Sequence, residues 1–514
     1  MAEKADAHHV DAPNTLPLST ELVADKYEKP LAVDTVHGDE ALKIIATVEG
    51  NDTWTGKEEK DLVKKIDRRL LPVLCLVYGI QFYDKAMLAQ AALFGLEEDL
   101  DLDIGNRFVF SSSIFYLGFI VGAYPAIMMA QRWPIERVAT GITFVWGIIV
   151  MCSAACKTYA GFYTQRFFLG VIEAGISPIF MLVVGGWYKK DEQALRMGVW
   201  YSCTGYISIV SPLINYGLGH ITGGSLHSWQ YMYLFAGGVT TLLSVLVLFF
   251  LPPDPIRAKH FTDRERYIAV ARLRVNNSGV RNIHFKPSQV FDALTDVRFL
   301  LLFFTTFLMF FANGANATMA PIIVHSFGYS TLNSLLLVVP AGFVSGTIEL
   351  LVCYLAYRIK GIRIYLFVIC VCTTMLSCLL LWQLPRSAKG GLLFAIEILP
   401  AFGGGYAILM GLQIANTAGY TKRSVTAAGL FIAWCLGNFT GPLLFKKKDA
   451  PVYAPAFAVI VAGLAAAVVL AIVYLFVCKF ENSKRDKSGM TEAFEHAYND
   501  DLTDRKNKQF RYVY

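Results

Sequence analysis

Charged side chains are scarce in this sequence, and their scarcity decides its broad class. Only 17% of the 514 residues are Asp, Glu, Lys or Arg, whereas soluble domains carry about 25%. Hydrophobic residues make up 55% of the chain, and its mean hydropathy is +0.46. A chain this apolar cannot cover its surface with polar groups in water. The composition therefore excludes an ordinary soluble protein and predicts an integral membrane protein.

Several other signals are missing as well. The ten cysteines form no paired CxxC motifs, and their apolar surroundings are typical of free thiols. The net charge of +6 includes no concentrated basic cluster, which argues against a nucleic-acid partner. Residues 1–69 lack the apolar core of a secretory signal peptide. No nucleophile–base pair or metal-ligand set stands out, so we expect no enzyme activity, cofactor or metal.

What the sequence does contain is twelve apolar runs, each near the ~20 residues that a helix needs to cross ~30 Å of hydrocarbon. The first six are Leu70–Gln90, Phe108–Ala130, Val138–Ala155, Phe162–Trp187, Met197–Leu218 and Tyr231–Leu251. The others are Phe299–Pro321, Leu332–Ala356, Ile364–Leu384, Gly391–Ile414, Val425–Phe445 and Ala454–Cys478. Six runs, a polar interval and six more are typical of a transporter built from two related bundles. The predicted fold is an all-α membrane protein with twelve transmembrane helices in two six-helix bundles.

This pattern divides the chain into five predicted segments. They are a cytoplasmic tail (1–69), an N-terminal six-helix bundle (70–251), a central cytoplasmic loop (252–298), a C-terminal six-helix bundle (299–478) and a second cytoplasmic tail (479–514). With both termini in the cytoplasm, the short inner loops hold ten Lys and Arg residues and the outer loops six. The positive-inside rule favours that orientation, although the run Lys446–Lys448 opposes it.

Ionisable residues inside a bilayer are costly, which makes each of them a functional candidate. In the first span, Gln81, Asp84 and Lys85 have i, i+3 and i+4 spacing and share a helix face. In the fourth span, Arg166 and Glu173 also share a face, and the helical rise puts Lys85 and Arg166 at similar depth. We expect Lys85 and Arg166 to attract an anion and Glu173 or Asp84 to carry a proton. In the alternative interpretation these groups are structural, with Arg166 neutralising Asp84.

The second half of the chain contributes mostly uncharged polar groups. Three pairs have i+3 or i+4 spacing within single spans: Asn313 with Asn316, Gln413 with Asn416, and Trp434 with Asn438. We expect these six residues, with Gln81, to contact a substrate, although such amides are about as often hydrogen bonds between helices. Glu349 and Glu397 are the intramembrane carboxylates of this half, and we expect Glu397 to lie near the outer surface.

Several longer motifs together resemble one transporter family. They are LLPVLCLVYGIQFYDK from Leu70, GLEEDLDL from Gly95, RFFLGVIEAG from Arg166, WYKKDEQALR from Trp187, LPPDP from Leu251, TDRER from Thr262, NTAGYTKR from Asn416, GNFTGP from Gly437 and DAPVYAP from Asp449. Their order and spacing resemble the allantoate permease family, an anion:cation symporter branch of the major facilitator superfamily. The resemblance extends from about Leu70 to Phe480, nearly all of the membrane region.

The resemblance implies proton-driven symport of a small organic anion by alternating access. Substrates of similar proteins include ureido acids, vitamins such as nicotinate and pantothenate, and other carboxylates, and Lys85, Arg166 and Glu173 match positions that distant relatives keep. The family commonly has D-R-S-N where this chain has Asp84-Lys85-Ala86-Met87. We therefore expect a more apolar or bulkier substrate than allantoate.

The resemblance also implies a multi-pass protein of the cell membrane, which we expect to be a monomer. An alternative function on the same fold is export of a secondary metabolite or toxin. A third is a nutrient receptor that signals with little transport.

Overall fold

The structure is a computed structural model that describes residues 54–221, 224–252, 255, 258, 260–273, 286–488 and 503–514. Within these ranges the regular elements are helices, and no strand occurs in them. Most of the predicted N-terminal tail and parts of the central loop and the C-terminal tail lie outside the described residues.

Twelve long helices make up most of the described chain. The first six are α1 (Gly56–Ala91), α2 (Arg107–Arg132), α3 (Ile135–Cys152), α4 (Tyr159–Trp187), α5 (Lys190–Gly219) and α6 (Ser228–Phe250). Two surface helices, Asp263–Leu273 and Pro287–Leu294, come next. The others are α7 (Val297–His325), α8 (Thr331–Arg358), α9 (Arg363–Gln383), α10 (Lys389–Asn416), α11 (Tyr420–Leu443) and α12 (Ala454–Lys487). The predicted all-α fold of twelve membrane helices is confirmed.

Among the described helices, eleven are long and apolar enough to cross a membrane, and α5 is the exception. Two of its buried polar side chains are hydrogen-bonded to α1. Ser211 accepts a hydrogen bond from Gln90 of α1 at 2.9 Å, and Asn215 accepts one from Tyr83 at 2.9 Å. Because those groups are satisfied inside the protein, α5 spans the bundle despite its lower hydropathy.

Helices α5 and α8 lie in direct backbone contact. A Cβ atom at Gly342 of α8 would stand 2.8 Å from the carbonyl oxygen of Gly205 of α5, and a Cβ at Gly205 would collide with the backbone nitrogen of Gly346. Only glycine allows so close an approach. The contact joins the first six helices to the last six and brings Thr204 of α5 beside Glu349 of α8.

Two helices are interrupted near the middle of the bundle. Helix α4 consists of Tyr159–Glu173 and Ile176–Trp187, so its break follows Glu173 directly. Helix α7 contains a π-helical turn over Gly314–Met319, which begins next to Asn313. Such irregular turns in membrane helices often occur at functional sites.

After twelve crossings α12 ends on the face of the bundle where α1 begins, which we call the terminal face. Helix α1 begins at Gly56, ahead of the predicted start at Leu70. The reason is a capping box, in which Thr55 accepts a hydrogen bond from the Glu58 backbone at 3.2 Å and Glu58 accepts one from the Thr55 backbone at 2.8 Å. The extended first turns then contact the surface helix Asp263–Leu273 through Lys65 and Glu265, 2.7 Å apart.

The C-terminal residues 503–514 also pack on the terminal face. Arg485 near the end of α12 donates hydrogen bonds to the backbone oxygen of Asp504 at 2.9 Å and to the Tyr512 hydroxyl at 2.9 Å. Asp504 forms ion pairs with Arg298 and Lys422, at 2.8 and 2.9 Å. The segment thus closes the ends of α7, α11 and α12.

Candidate functional site

A central cavity lies between the first six helices and the last six. Five of the residues predicted to contact a substrate line it, namely Gln81, Lys85, Asn313, Asn316 and Trp434. Most of the remaining wall is aromatic or apolar, with Tyr78, Phe82, Tyr116, Met181, Trp200, Tyr201, Phe310, Phe402, Tyr406, Met410 and Phe431. Among the described residues in this wall, Lys85 is the one basic side chain and Glu349 the one acidic side chain.

Lys85 holds its ammonium group among aromatic rings. The Nζ atom lies 5.0 Å from the ring centre of Phe119, 5.6 Å from that of Trp434 and 5.7 Å from that of Phe115. Ring faces attract a cation at such distances. Phe115 and Phe119 belong to α2 and Trp434 to α11, so helices from both halves of the chain surround this charge.

Glu173 is the carboxylate that pairs with Lys85. Its Oε1 lies 3.1 Å from the Lys85 Nζ atom; the Glu173 side chain is fully buried, whereas Lys85 keeps 16% of its side-chain surface exposed. Gln81 donates a long hydrogen bond to the Glu173 backbone oxygen at 3.4 Å. The lysine is therefore the member of the pair that reaches the cavity, and the carboxylate lies behind it.

Asp84 and Arg166 lie outside the cavity wall, although both are buried. Arg166 donates a hydrogen bond to the Tyr233 hydroxyl of α6 at 2.9 Å, and its guanidinium carbon lies 5.2 Å from the Phe162 ring centre. The opposing charge of Arg166 acts on Asp84, which also faces the Trp146 indole. Arg166 therefore lies between α4 and α6, as the structural alternative expects, and its contact with a substrate stays a prediction.

The amide pairs of the second half divide between the cavity and the terminal face. Asn438 does not line the cavity, but its side chain accepts a hydrogen bond from the Asn313 amide, which does. Gln413 donates to the Thr426 hydroxyl at 2.9 Å, and Asn416 accepts a hydrogen bond from the Val513 backbone at 2.7 Å. Gln413 and Asn416 do not line this cavity, and instead they connect α10 to α11 and to the C-terminal segment, so their contact with a substrate stays a prediction.

Several cavity residues were not singled out from the sequence as substrate contacts. Thr204, Ser345 and Glu349 form a hydrogen-bonded group in the wall, in which both hydroxyls donate to the carboxylate at 3.2 Å. Glu349 stood out only as an intramembrane carboxylate. The tyrosines gave no signal, because an aromatic side chain in an apolar run is as consistent with packing as with a binding site.

Comparison with known proteins identifies the group of proteins that this chain matches. Residues 74–442 match the model of the Major Facilitator Superfamily. The thiamine pathway transporter THI73 of Saccharomyces cerevisiae is 30% identical, over 92% of this chain and 90% of that protein. The allantoate permease of the same yeast is 29% identical, over 92% of this chain and 90% of that protein.

A solved structure agrees with these matches at the level of the fold. The xylose transporter XylE from E. coli, in a partially occluded inward open conformation, superposes with a TM-score of 0.58. The alignment covers 78% of this chain and 96% of that chain at 14% identity, so it supports the fold alone.

Proposed function

We propose that this chain, which belongs to the Major Facilitator Superfamily, carries a small organic anion across the membrane together with a proton. It is a multi-pass membrane transporter of the allantoate permease type and not an enzyme. The observation that carries the proposal is Lys85, the one basic side chain among the described residues of the cavity wall.

Lys85 suits the binding of an anionic group from the substrate. Its ammonium has one carboxylate partner, Glu173, and otherwise faces aromatic rings and the cavity. An ammonium has three donors, so it has capacity for a further oxygen ligand. The carboxylate of a substrate that reaches Lys85 is held in a partly buried site, where water screens the attraction weakly.

The pair of Lys85 and Glu173 also suggests how a proton is coupled to that anion. A substrate carboxylate at Lys85 adds a second negative charge beside Glu173, and one ammonium then compensates two carboxylates. Like charges close together favour protonation of one of them. We infer that Glu173 takes up the proton, with Asp84 as the second candidate among the predicted carriers, and that the loaded site becomes less costly to bury.

Alternating access requires contacts between the two sets of six helices to break and reform. On the face opposite the terminal face, the Lys447 ammonium donates to the backbone oxygen of Asp103 at 2.7 Å. Deeper in the bundle, Ser113 donates to the backbone oxygen of Phe439 at 2.8 Å. Each of these contacts joins one half of the chain to the other, so we propose that they separate when the cavity opens on that face.

The aromatic wall supports a substrate with an apolar body. Phe82, Phe310 and Phe431 present rings that a small polar ureido acid would leave without apolar partners. Burial of apolar area is favourable by about 25 cal/mol per Å². We therefore propose a carboxylate with an aromatic or bulky aliphatic body, in agreement with the expectation from Ala86 and Met87.

The proposal also covers the membrane in which the chain lies and the direction in which it transports. We propose that the chain lies in the cell membrane with its terminal face in the cytoplasm, works as a monomer, and takes up its substrate. In the alternative function, export of a secondary metabolite, the same cavity would be used when the combined gradients of substrate and protons point outward. Comparing metabolites retained by expressing and non-expressing cells distinguishes the two directions.

The test is a metabolite-uptake screen in cells that express the chain, repeated with Lys85→Gln. We expect expressing cells to accumulate a carboxylate, a proton ionophore to abolish the accumulation, and Lys85→Gln to reduce uptake at least about tenfold, as loss of a charged hydrogen bond predicts. Lys446→Gln, in an exposed loop, is the matched control and keeps full uptake. Uptake by Lys85→Gln at the level of the control would refute the assignment of the anion site.

A further inference from the structure

Glu349 is a buried carboxylate in the cavity wall, and the transport cycle proposed above gives it no role. It is 3% exposed and lies on α8. The Thr204 hydroxyl of α5 donates to Oε2 at 3.2 Å, and the Ser345 hydroxyl, one turn earlier on α8, donates to Oε1 at 3.2 Å. Both donors are neutral hydroxyls, so neither supplies a positive charge to pair with the carboxyl group.

No basic side chain compensates Glu349 within the part of the chain that the structure describes. Among the described residues, every lysine, arginine and histidine side-chain nitrogen lies more than 4.0 Å from the Glu349 carboxyl oxygens. Buried charges in proteins are normally paired. A carboxylate has about four positions for hydrogen-bond donors, and the two hydroxyls use only part of that capacity.

The space around Glu349 is shaped for the carboxylate and lined by rings. A Cβ atom at Gly403 of α10 would collide with Oε1, so a larger residue there would displace the carboxylate. Tyr78 and Tyr201 line the cavity within electrostatic range of Glu349. Tyrosine rings attract cations, so this part of the wall combines a carboxyl group with aromatic faces.

We propose that Glu349 binds a positively charged nitrogen group of the substrate, so that the transported compound is zwitterionic. Its anionic group contacts Lys85 and its amino or other cationic group contacts Glu349, with Thr204 and Ser345 keeping the carboxylate in place. This inference rests on the proposed function, because it assigns the two charged residues of one cavity to the two ends of one substrate. A carboxylate that only exchanges protons is the competing explanation.

The experiment measures ligand affinity through the thermal unfolding of the purified full chain. Its probes are pairs of acids that differ only in an amino or a hydroxyl group. One pair is 4-(aminomethyl)benzoate and 4-(hydroxymethyl)benzoate, and the other is 5-aminovalerate and 5-hydroxyvalerate. We expect the amino member of at least one pair to bind about tenfold tighter, as a hydrogen bond between charged groups predicts.

Variants identify the residue responsible for this preference. Glu349→Gln is expected to remove the difference between amino and hydroxyl members, whereas Glu397→Gln, a membrane carboxylate outside the cavity wall, keeps it. Lys85→Gln is expected to weaken both members equally. If Glu349→Gln does not fold, Glu349→Asp retracts the charge by one methylene and is expected to reduce the difference.

The inference is overturned if wild-type protein binds hydroxyl members as tightly as amino members, if it binds neither, or if the preference persists in Glu349→Gln. A Glu349→Gln protein that keeps the amino preference but loses a pH dependence of transport assigns the residue to proton exchange instead. If the uptake screen finds a carboxylate that depends on Lys85 but contains no cationic group, the proposed function survives and this inference fails.

Discussion

The ammonium of Lys422 lies 2.9 Å from a carboxylate oxygen of Asp504, and both side chains are almost completely buried, at 1% and 0% exposure. Lys422 lies in the first turn of α11, and Asp504 belongs to the C-terminal segment that packs on the terminal face. Arg298 contacts the other oxygen of Asp504 at 2.8 Å, and Asp296 pairs with both basic residues. Charges at the ends of α7 and α11 thus hold the end of the chain against the membrane bundle.

Asp504→Asn is expected to release the C-terminal segment, because the substitution removes one charge of this buried group. Breaking a buried pair costs about 3 kcal/mol or more. Hydrogen exchange should therefore show faster exchange of the amides in 503–514. Asp486→Asn is the control, since Asp486 pairs with Arg511 while its own side chain is 66% exposed, and exposed pairs contribute at most about 1 kcal/mol. Equal exchange in both variants would contradict the anchoring role.

The contact between Lys65 and Glu265 is expected to weaken in acid. Burial alone would raise the pKa of Glu265, but hydrogen bonds from Lys65 and Thr262 outweigh it and hold that pKa below the usual value. The pKa of Glu265 is lower when it contacts Lys65 than when the two side chains are apart, where it has the ordinary value of ~4.3. The contact therefore stabilises the packed surface helix fully above pH ~4.3, and this stabilisation is lost as the pH falls through the lowered pKa.

Hydrogen exchange of the surface helix Asp263–Leu273 at pH 7 and at pH 3.5 measures this effect. Wild type should lose protection between the two values, after correction for the intrinsic exchange rate. Glu265→Gln should show weaker protection at both and little further change. A wild-type helix that keeps its protection in acid would show that the ion pair does not hold it.

Gly205→Ala tests the backbone contact of α5 and α8. The new Cβ would collide with the backbone of Gly346, so either the helices separate or the protein is strained. Overpacking of this kind costs about 1–3 kcal/mol. We expect a lower melting temperature and at least about tenfold slower transport. Gly217→Ala on the same helix meets no atom within 4 Å and should behave as wild type. Normal transport by Gly205→Ala would mean that this contact is not needed.

Glu173→Gln separates substrate binding from proton coupling. The amide cannot exchange a proton, while Lys85 remains available to the anion. We expect counterflow of substrate between two equal pools to continue and accumulation driven by a pH gradient to disappear. Glu397→Gln, away from the cavity wall, should keep both activities. Gradient-driven accumulation by Glu173→Gln would transfer the coupling role to Asp84 or another group.

Arg166→Met is expected to harm the stability of the protein more than its affinity for substrate. It removes the buried hydrogen bond to Tyr233 and the charge that offsets Asp84. We expect a lower melting temperature, with a KM for the transported anion within about twofold of wild type. Tyr233→Phe should have the same effect in milder form, by about 1–3 kcal/mol. A tenfold increase in KM in a stable Arg166→Met protein would return Arg166 to the anion site.

The twelve helices were predictable because the bilayer imposes a local requirement. Each crossing needs about 20 apolar residues, and its backbone must satisfy its own hydrogen bonds. This requirement applies to each segment separately, and therefore each crossing can be recognised from its own stretch of sequence. The capping pairs Thr55 with Glu58 and Thr262 with Glu265 are local in the same sense, since the partners stand three residues apart.

Which residues line the cavity depended on contacts between helices that are far apart in the sequence, and no local sequence pattern reveals those contacts. Spacing placed Arg166 and Glu173 on one helix face, but it did not show that Glu173 pairs with Lys85 of α1 while Arg166 donates to Tyr233 of α6. Spacing likewise treated Asn313 and Asn416 alike, although one lines the cavity and the other binds the C-terminal segment. The sequence alone determined the spans and the polar residues within them. Only the tertiary structure decided which polar groups meet, because that depends on how helices distant in the chain rotate and pack against each other.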